Sequence, residues 1–352
     1  MKRKITYRIF LLVISLLPMS HAVAEIMPAC DNRITWVGRT SFEHTGAVSF
    51  DWTAVYCRIR VAGDTLRLHI SDSGRNFYNV YVDRQMDDTP SYVITTQGDS
   101  IYTFVLRRCR RVHSVILQKR TEAEQGTTTF YTVETDGFFL QAEPLRKRQI
   151  EFIGDSYTCG YGIENCDSTD RFTPETENVC KSFVSLIAHH LNADYEVIAH
   201  SGMGVCRNYN SKFPGWTMPK RYRYRFDMDS VENPYYGNSE WNPFVIIMLG
   251  GNDFSCGVTP DYDKFRDAYF DLLSNFNDST TIICCTKNKN TELSRYVEQV
   301  VLESNLANIH FFACDFDEYT NNRQYLGADK HPDERAHRRL AAQILSFIKP
   351  FF

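Results

Sequence analysis

Three short stretches of this chain carry side chains that together could do chemistry on an ester. Gly154-Asp155-Ser156 offers a hydroxyl, Gly250-Gly251-Asn252-Asp253 a primary amide, and Asp329-Lys330-His331-Pro332 an imidazole with a carboxylate two residues before it. Acyl transfer needs a nucleophile, a base to take its proton, and donors for the oxyanion. Ser156 is the candidate nucleophile and His331 the candidate base. In an extended loop, residues i and i+2 point the same way, so Asp329 is placed to orient the imidazole and stabilise the imidazolium. The Asn252 amide supplies one oxyanion donor, and a glycine backbone N–H in Ser201-Gly202-Met203-Gly204 a second. Taken singly each stretch reads more blandly, since Gly, Asp and Ser are turn residues and a lone His before a helix is commonly a cap. The set, in this order, is compatible with one pocket. The G-x-S-x-G elbow of α/β-hydrolases is absent.

Such a pocket needs a scaffold that gathers distant residues. From Gln149 onward, apolar runs alternate with helical patterns. Strands are expected over 150–153, 195–198, 244–249, 281–285 and 310–313. Helices are expected over 183–191 (Ser182 as N-cap), 265–276, 293–302 and 334–348. Strand–helix alternation with continuous apolar strands means a parallel sheet covered on both faces. In such sheets ligands gather outside the C-terminal strand ends, where Ser156 and Asn252 fall. The turn after the first strand also puts the Ser156 N–H at a helix N-terminus, where an anion is favoured. Residues 33–145 differ. Period-two runs at 58–61, 66–70, 80–82, 102–106 and 115–117 are separated by turn signals at Ala62-Gly63-Asp64, Ser73-Gly74 and Gln97-Gly98-Asp99, which predicts an antiparallel sandwich. The charged stretch 143–148 is the expected junction, giving domains at 33–145 and 149–352.

At 43% hydrophobic and 23% charged residues, the chain is too apolar for disorder, and its net charge of −4 gives no sign of a nucleic-acid partner. The run Arg107-Arg108-Cys109-Arg110-Arg111 reads as a solvated strand end or loop. Lys2, Arg3, Lys4 and Arg8 precede an apolar run over 9–17, and Ala22-Val23-Ala24 follows as an A-x-A site, so residues 1–24 read as a cleaved signal peptide. The mature chain is then expected to be exported, periplasmic or extracellular, without membrane insertion, and monomeric. Eleven cysteines leave at least one thiol free or paired between chains, and Cys166 with Cys180 is the first pair to test. Cys284-Cys285 reads as buried filler. No cysteine–histidine cluster has metal spacing, so neither a metal nor a cofactor is expected.

Here the blocks converge. Gly154-Asp155-Ser156, the glycine block at Gly202, Gly250-Gly251-Asn252-Asp253 and the C-terminal His331-Pro332 resemble, in order, the four blocks of the SGNH (GDSL) hydrolases. "FIGDSYTCGYG", "SGMGVCRNYN", "PGWTMPKRYRYRF", "EWNPFVIIMLGGNDF" and "LGADKHPDERAHRRLAAQI", with a β domain in front, are similar to carbohydrate esterase family 2. The resemblance covers residues 33–350. It implies a jelly-roll N-terminal domain, a flavodoxin-like SGNH domain, and acetyl esterase activity on plant polysaccharides such as xylan or glucomannan. It implies Ser156 as nucleophile, His331 as base, and the Ser156 N–H, the Gly202 N–H and the Asn252 amide as oxyanion hole. For the third member it leaves two options, the Asp329 carboxylate or a backbone carbonyl. Lys330 stands where the family often has an aromatic residue, and Asp333 where Asn is usual; both bear on substrate preference rather than on chemistry.

Remaining residues have milder readings. Asp155 and Asp253 are expected to brace their turns, and His337 to pack or face solvent. Trp216 and Trp241 bracket an aromatic segment (Tyr222, Tyr224, Tyr235, Tyr236), where one or two rings are candidates to stack on sugar and the rest to pack. Tyr157 and Cys159 have no assigned role. Two other functions compete with polysaccharide deacetylation. One is the same pocket acting on peptidoglycan, host glycan or lipid esters; the other is a non-catalytic sugar-binding protein.

Overall fold

The computed structural model describes residues 24–106, 111–211, 215–228, 233–237 and 243–352. Residues 1–23 of the expected signal peptide, four residues of the basic run at 107–111, and Trp241 lie outside this set. The described residues form an antiparallel β domain followed by a parallel α/β domain.

The first domain holds β1 (Glu25–Pro28), β2 (Thr35–Val37), β3 (Ser41–Phe42), β4 (Val48–Phe50), β5 (Tyr56–Ala62), β6 (Thr65–Val82), β7 (Tyr92–Val105), β8 (His113–Lys119), β9 (Thr128–Thr135) and β10 (Phe138–Leu140). All their pairings are antiparallel. Leu66, Leu68 and Ile70 of β6 are buried while Arg67 is exposed, the alternation of a strand with one face on the core. The main departure from the sequence reading lies in this strand. Residues 66–70 and 80–82 are one strand rather than two, and Ser73-Gly74 is a bulge within it rather than a turn. Asp72 pairs with Gly98 and Arg75 with Gln97, so Gln97-Gly98-Asp99 also lies inside a strand. The extra residues bend β6. Its first part pairs with β9 and its last part with β8, so the sheet curls around one core containing Phe50, Trp52, Tyr78 and Phe130. Gly74 is required at the bend, because a Cβ there would sit 2.2 Å from the Gln125 carbonyl oxygen.

The second domain contains β11 (Gln149–Gly154), β12 (Asp194–Ala199), β13 (Phe244–Met248), β14 (Ile282–Thr286) and β15 (Ile309–Ala313), all parallel, in the order β12-β11-β13-β14-β15. Helices α1 (Ser156–Cys159), α2 (Phe183–His190), α3 (Met218–Arg221), α4 (Tyr262–Leu273), α5 (Glu292–Ser304), α6 (Asp317–Asn321) and α7 (Glu334–Ile348) occur in the connections and after the last strand. Every residue of β11 and β12 is buried, as a sheet covered on both faces requires. The chain leaves β11 toward β12 on one side and later returns to β13 on the other. This makes the C-terminal end of β11 the point where the strand order reverses and a crevice opens. Among the described residues, no helix is long and apolar enough to cross a membrane.

Polar contacts join the domains. Arg39, 1% exposed, lies 3.4 Å from both Glu151 and Glu196, which pair across β11 and β12, and packs against the rings of Tyr222 and Tyr235. Tyr56 donates to Asp194 at 2.8 Å, and the Arg58 guanidinium pairs with the same carboxylate. Buried charges persist only when paired in this way. All ten described cysteines are free, including the Cys166–Cys180 pair considered above. Cys166 is exposed and Cys180 buried.

Candidate active site

The turn that carries Ser156 is built by what cannot fit. A Cβ on Gly154 would lie 2.0 Å from the Thr158 hydroxyl and 2.9 Å from the Met248 carbonyl oxygen, so β11 turns sharply only with glycine there. Asp155 caps α1, its Oδ1 accepting the Tyr157 N–H at 3.1 Å. Ser156, the first residue of α1, lies at the surface of the crevice, 8% exposed. Because α1 is one turn long, its end field adds little, and the local donor is the Ser156 N–H itself.

His331 arrives from the other end of the chain. Its Nε2 lies 2.9 Å from Ser156 Oγ. The loop carrying it packs on the loop after α1: Gly162 has a φ of +62°, and a Cβ there would sit 2.7 Å from that of Ala328. The Tyr161 ring lies 4.4 Å from the imidazole and stacks at 3.8 Å on Phe172. Burial pushes the His331 imidazole down to about 4, the Lys287 ammonium adds to that, and the Asp329 carbonyl, the Asp329 carboxylate and the Ala328 carbonyl oppose it. The imidazole is therefore neutral at neutral pH and able to accept a proton.

Asp329 does not lie as an extended loop would put it. Asp329 and Lys330 have φ of +48° and +63°, and this left-handed turn breaks the i, i+2 alignment. The Asp329 carboxylate accepts from the Phe172 N–H at 3.0 Å and the Tyr161 hydroxyl at 3.3 Å, and lies 3.7 Å from Arg171. His331 Nδ1 makes no hydrogen bond among the described residues.

The donor side centres on the loop after β12. Gly202 has a φ of +81°, and its carbonyl accepts the Tyr209 N–H at 2.7 Å. Asp253, fully buried, has the structural role expected of it, but for this loop rather than for its own turn: it accepts the N–H groups of Val205, Cys206 and Arg207 at 2.7–2.8 Å. Asn252, half-buried, donates through Nδ2 to Met203 O at 2.7 Å and to Asp155 Oδ2 at 3.3 Å. That amide joins the Asp155–Ser156 turn to the glycine block. Trp216 is half-buried, stacked at 4.7 Å on Tyr224, with Lys220 Nζ 4.1 Å from its ring centre. His337 packs in the interior, where its Nδ1 accepts the N–H of Phe183, the first residue of α2, at 3.2 Å; Ser182 is the N-cap by position but its side chain makes no capping bond. Asp333 caps α7 by accepting the Ala336 N–H at 3.0 Å.

The residue the sequence reading passed over is Lys287, just after β14. Its Nζ lies 3.7 Å from the centre of the Tyr157 ring, and it lines a small cavity with Asp155, Gly251 and Thr286. Burial alone would lower this ammonium, but Tyr157 and Asp155 hold it above its ordinary range. Burial raises the Asp155 carboxyl, and Lys287 opposes that. The available signal was position, since a cation directly after a sheet strand falls at the C-terminal edge where the site lies.

Among the described residues, Glu122, Cys159 and Glu177 form one buried group with metal-type donor atoms within 4.8 Å of one another. Burial pushes both the Cys159 thiol and the Glu177 carboxyl well up. Glu122 Oε2 accepts the Ser201 N–H and Glu177 Oε2 the Glu122 N–H. These are groups of a structural network rather than open ligands.

Comparison with known proteins agrees with this layout. Residues 36–144 match the family model "Carbohydrate esterase 2 N-terminal", and residues 150–344 match "GDSL-like Lipase/Acylhydrolase". The chain is 30% identical to a cellulase/esterase of Acetivibrio thermocellus over 328 residues, 90% of this chain and 39% of that protein. It is 35% identical to an acetylxylan esterase / glucomannan deacetylase of Cellvibrio japonicus over 236 residues, 65% of this chain and 62% of that protein. It thus spans well under two thirds of the first of these relatives and just under two thirds of the second. A solved family two carbohydrate esterase from Clostridium thermocellum, in complex with cellohexaose, superposes with a TM-score of 0.81 at 30% identity, covering 90% of this chain and 98% of that one.

Proposed function

From the premise that the chain belongs to carbohydrate esterase family 2, within the GDSL-like acylhydrolases, we propose that it is an exported serine esterase that removes O-acetyl groups from a plant polysaccharide such as xylan or glucomannan. The observation that carries the chemistry is the 2.9 Å contact between His331 Nε2 and Ser156 Oγ, with a neutral imidazole. The relatives named as acetylxylan esterase and glucomannan deacetylase support the substrate class. The basic, apolar and A-x-A segments of residues 1–24 support export.

In this reading Ser156 Oγ attacks the acetyl carbonyl carbon while His331 Nε2 takes the hydroxyl proton. The carbonyl π electrons move to oxygen. The Ser156 and Gly202 N–H groups and Asn252 Nδ2 receive that oxyanion, Asn252 exchanging its longer bond, the one to Asp155, for it. The tetrahedral centre collapses, the sugar oxygen leaves with the His331 proton, and Ser156 carries the acetyl group. Water, deprotonated by His331, then releases acetate and restores Ser156. Backbone carbonyls of the 328–329 turn and the charge of the Asp329 carboxylate favour the imidazolium, and that carboxylate also holds the Tyr161–Phe172 wall.

The test compares acetate release from acetylated glucomannan, xylan and peptidoglycan by the wild type and by Ser156→Ala. Release from the plant polymers that disappears in Ser156→Ala supports the proposal. Equal rates in the two proteins defeat the serine mechanism, and a preference for peptidoglycan alone overturns the substrate class.

A further inference from the structure

We propose that Glu122, contributed by the β domain, is a positioning residue for catalysis: its carboxylate fixes the peptide that presents the Gly202 N–H to the oxyanion. The inference rests on the esterase reading above.

Glu122 lies outside the α/β domain, directly before the short helical turn Ala123–Gln125. It is fully buried. Its Oε2 accepts the Ser201 N–H at 2.7 Å, and the Cys159 thiol of α1 approaches the same oxygen at 3.7 Å. One carboxylate oxygen thus touches the ends of both elements that supply oxyanion donors, the nucleophile turn and the glycine block. The peptide unit carrying the Gly202 N–H lies between two anchors. Glu122 grips the Ser201 N–H on one side, and the Tyr209 N–H grips the Gly202 carbonyl at 2.7 Å on the other. The Met203 N–H closes this turn on the His200 carbonyl at 3.3 Å, and with Gly202 at a φ of +81° the central 201–202 peptide of such a turn can still flip between its two turn forms. Removing the Glu122 anchor lets the donor turn away.

The backbone that carries this carboxylate is itself held, while Glu122 Oε1 makes no hydrogen bond among the described residues. The Glu122 N–H donates to Glu177 Oε2 at 3.1 Å, its carbonyl accepts from Lys119 Nζ at 3.2 Å, and Arg120, two residues before it, donates to the carbonyls of Glu175 and Glu177. Glu124, two residues on, lies 3.2 Å from Nε2 of His200, the residue before Ser201. The β domain therefore reaches the glycine block at two adjacent points. An oxyanion donor acts through placement alone, so an error of well under 1 Å in the Gly202 peptide is felt in turnover and scarcely in binding.

The experiment measures kcat and KM on an aryl acetate for the wild type, Glu122→Ala and Glu122→Gln, with thermal melting of each. Losing a whole oxyanion donor costs about 10²–10³ in kcat, so a misplaced one is expected to cost about 10- to 100-fold. Glu122→Ala is expected to lose that much kcat with KM within about threefold of wild type. Glu122→Gln keeps an acceptor for the Ser201 N–H and is expected to recover most of the loss. A purely structural role would lower the melting temperature of both variants and leave the kcat of the folded protein alone. If Glu122→Ala does not fold, Glu122→Asp withdraws the acceptor by one methylene, and the same kcat-selective loss is expected. A folded Glu122→Ala or Glu122→Asp with kcat within about threefold of wild type overturns the proposal, as does a loss carried by KM. Failure of the esterase reading shows separately, as an aryl acetate rate that Ser156→Ala does not change.

Discussion

Replacing Lys287 by methionine isolates the charge behind the nucleophile. Lys287 Nζ lies 3.7 Å from the centre of the Tyr157 ring, and that ring lies 5.6 Å from the ring of His331. The ammonium and the imidazole are therefore at most about 9 Å apart. Two unit charges at that separation repel by about 0.5 kcal/mol at the permittivity of water and about 1.8 kcal/mol at an effective value near 20. At 1.36 kcal/mol per pKa unit this amounts to about 0.3–1.3 units. The sign is fixed. Lys287 disfavours the imidazolium, so its removal raises the His331 pKa from about 4 toward the ordinary histidine value. Asp155, left without its cation, pushes the same way if it stays ionised. Only the neutral imidazole accepts the Ser156 proton, so activity falls as pH drops through that pKa, and a raised pKa moves the fall to higher pH. The assay is kcat/KM on an aryl acetate across the acid range at fixed ionic strength, where the acid limb reports the free enzyme. Methionine keeps the unbranched chain, so packing beside Tyr157 changes little. The acid limb is expected to rise by about half to one unit. A limb that stays in place, or moves to lower pH, refutes the electrostatic argument.

The buried ion network between the domains makes a stability prediction. Arg39→Ala leaves Glu151 and Glu196 facing each other without a cation and is expected to cost about 3–5 kcal/mol, read from urea unfolding; a loss below about 1 kcal/mol would contradict the assignment. Asp329→Ala is expected to lower kcat by less than about tenfold, because the carboxylate holds Tyr161 and Phe172 rather than His331 Nδ1. A loss of about 10⁴, as expected for removal of an imidazole-orienting carboxylate, would return Asp329 to that role.

Much of this site could be read in the sequence because its parts are local. Gly154-Asp155-Ser156 and Gly250-Gly251-Asn252-Asp253 each combine a strand end, a forced turn and a polar side chain within a few residues, and the strand–helix alternation fixed where those ends must meet. What failed depends on conformation or on partners far along the chain. Ser73-Gly74 and Gln97-Gly98-Asp99 have turn composition, yet they face each other as a bulge inside a long hairpin, because pairing along β6 and β7 outweighs local preference. The i, i+2 alignment of Asp329 with His331 holds only for an extended chain, and two consecutive left-handed residues, Asp329 and Lys330, break it. Glu122 left no trace in its neighbourhood, since its partner Ser201 is 79 residues away in the other domain. Lys287 gave only its position after a strand.

The central claim is that Ser156 carries the acetyl group between sugar and water. The direct measurement is to quench the enzyme with acid during turnover of an aryl acetate and map its peptides by mass spectrometry. The account predicts a mass increase of one acetyl group on the peptide containing Ser156, absent from Ser156→Ala. Acetylation at another residue, or turnover at the wild-type rate in Ser156→Ala, would contradict it.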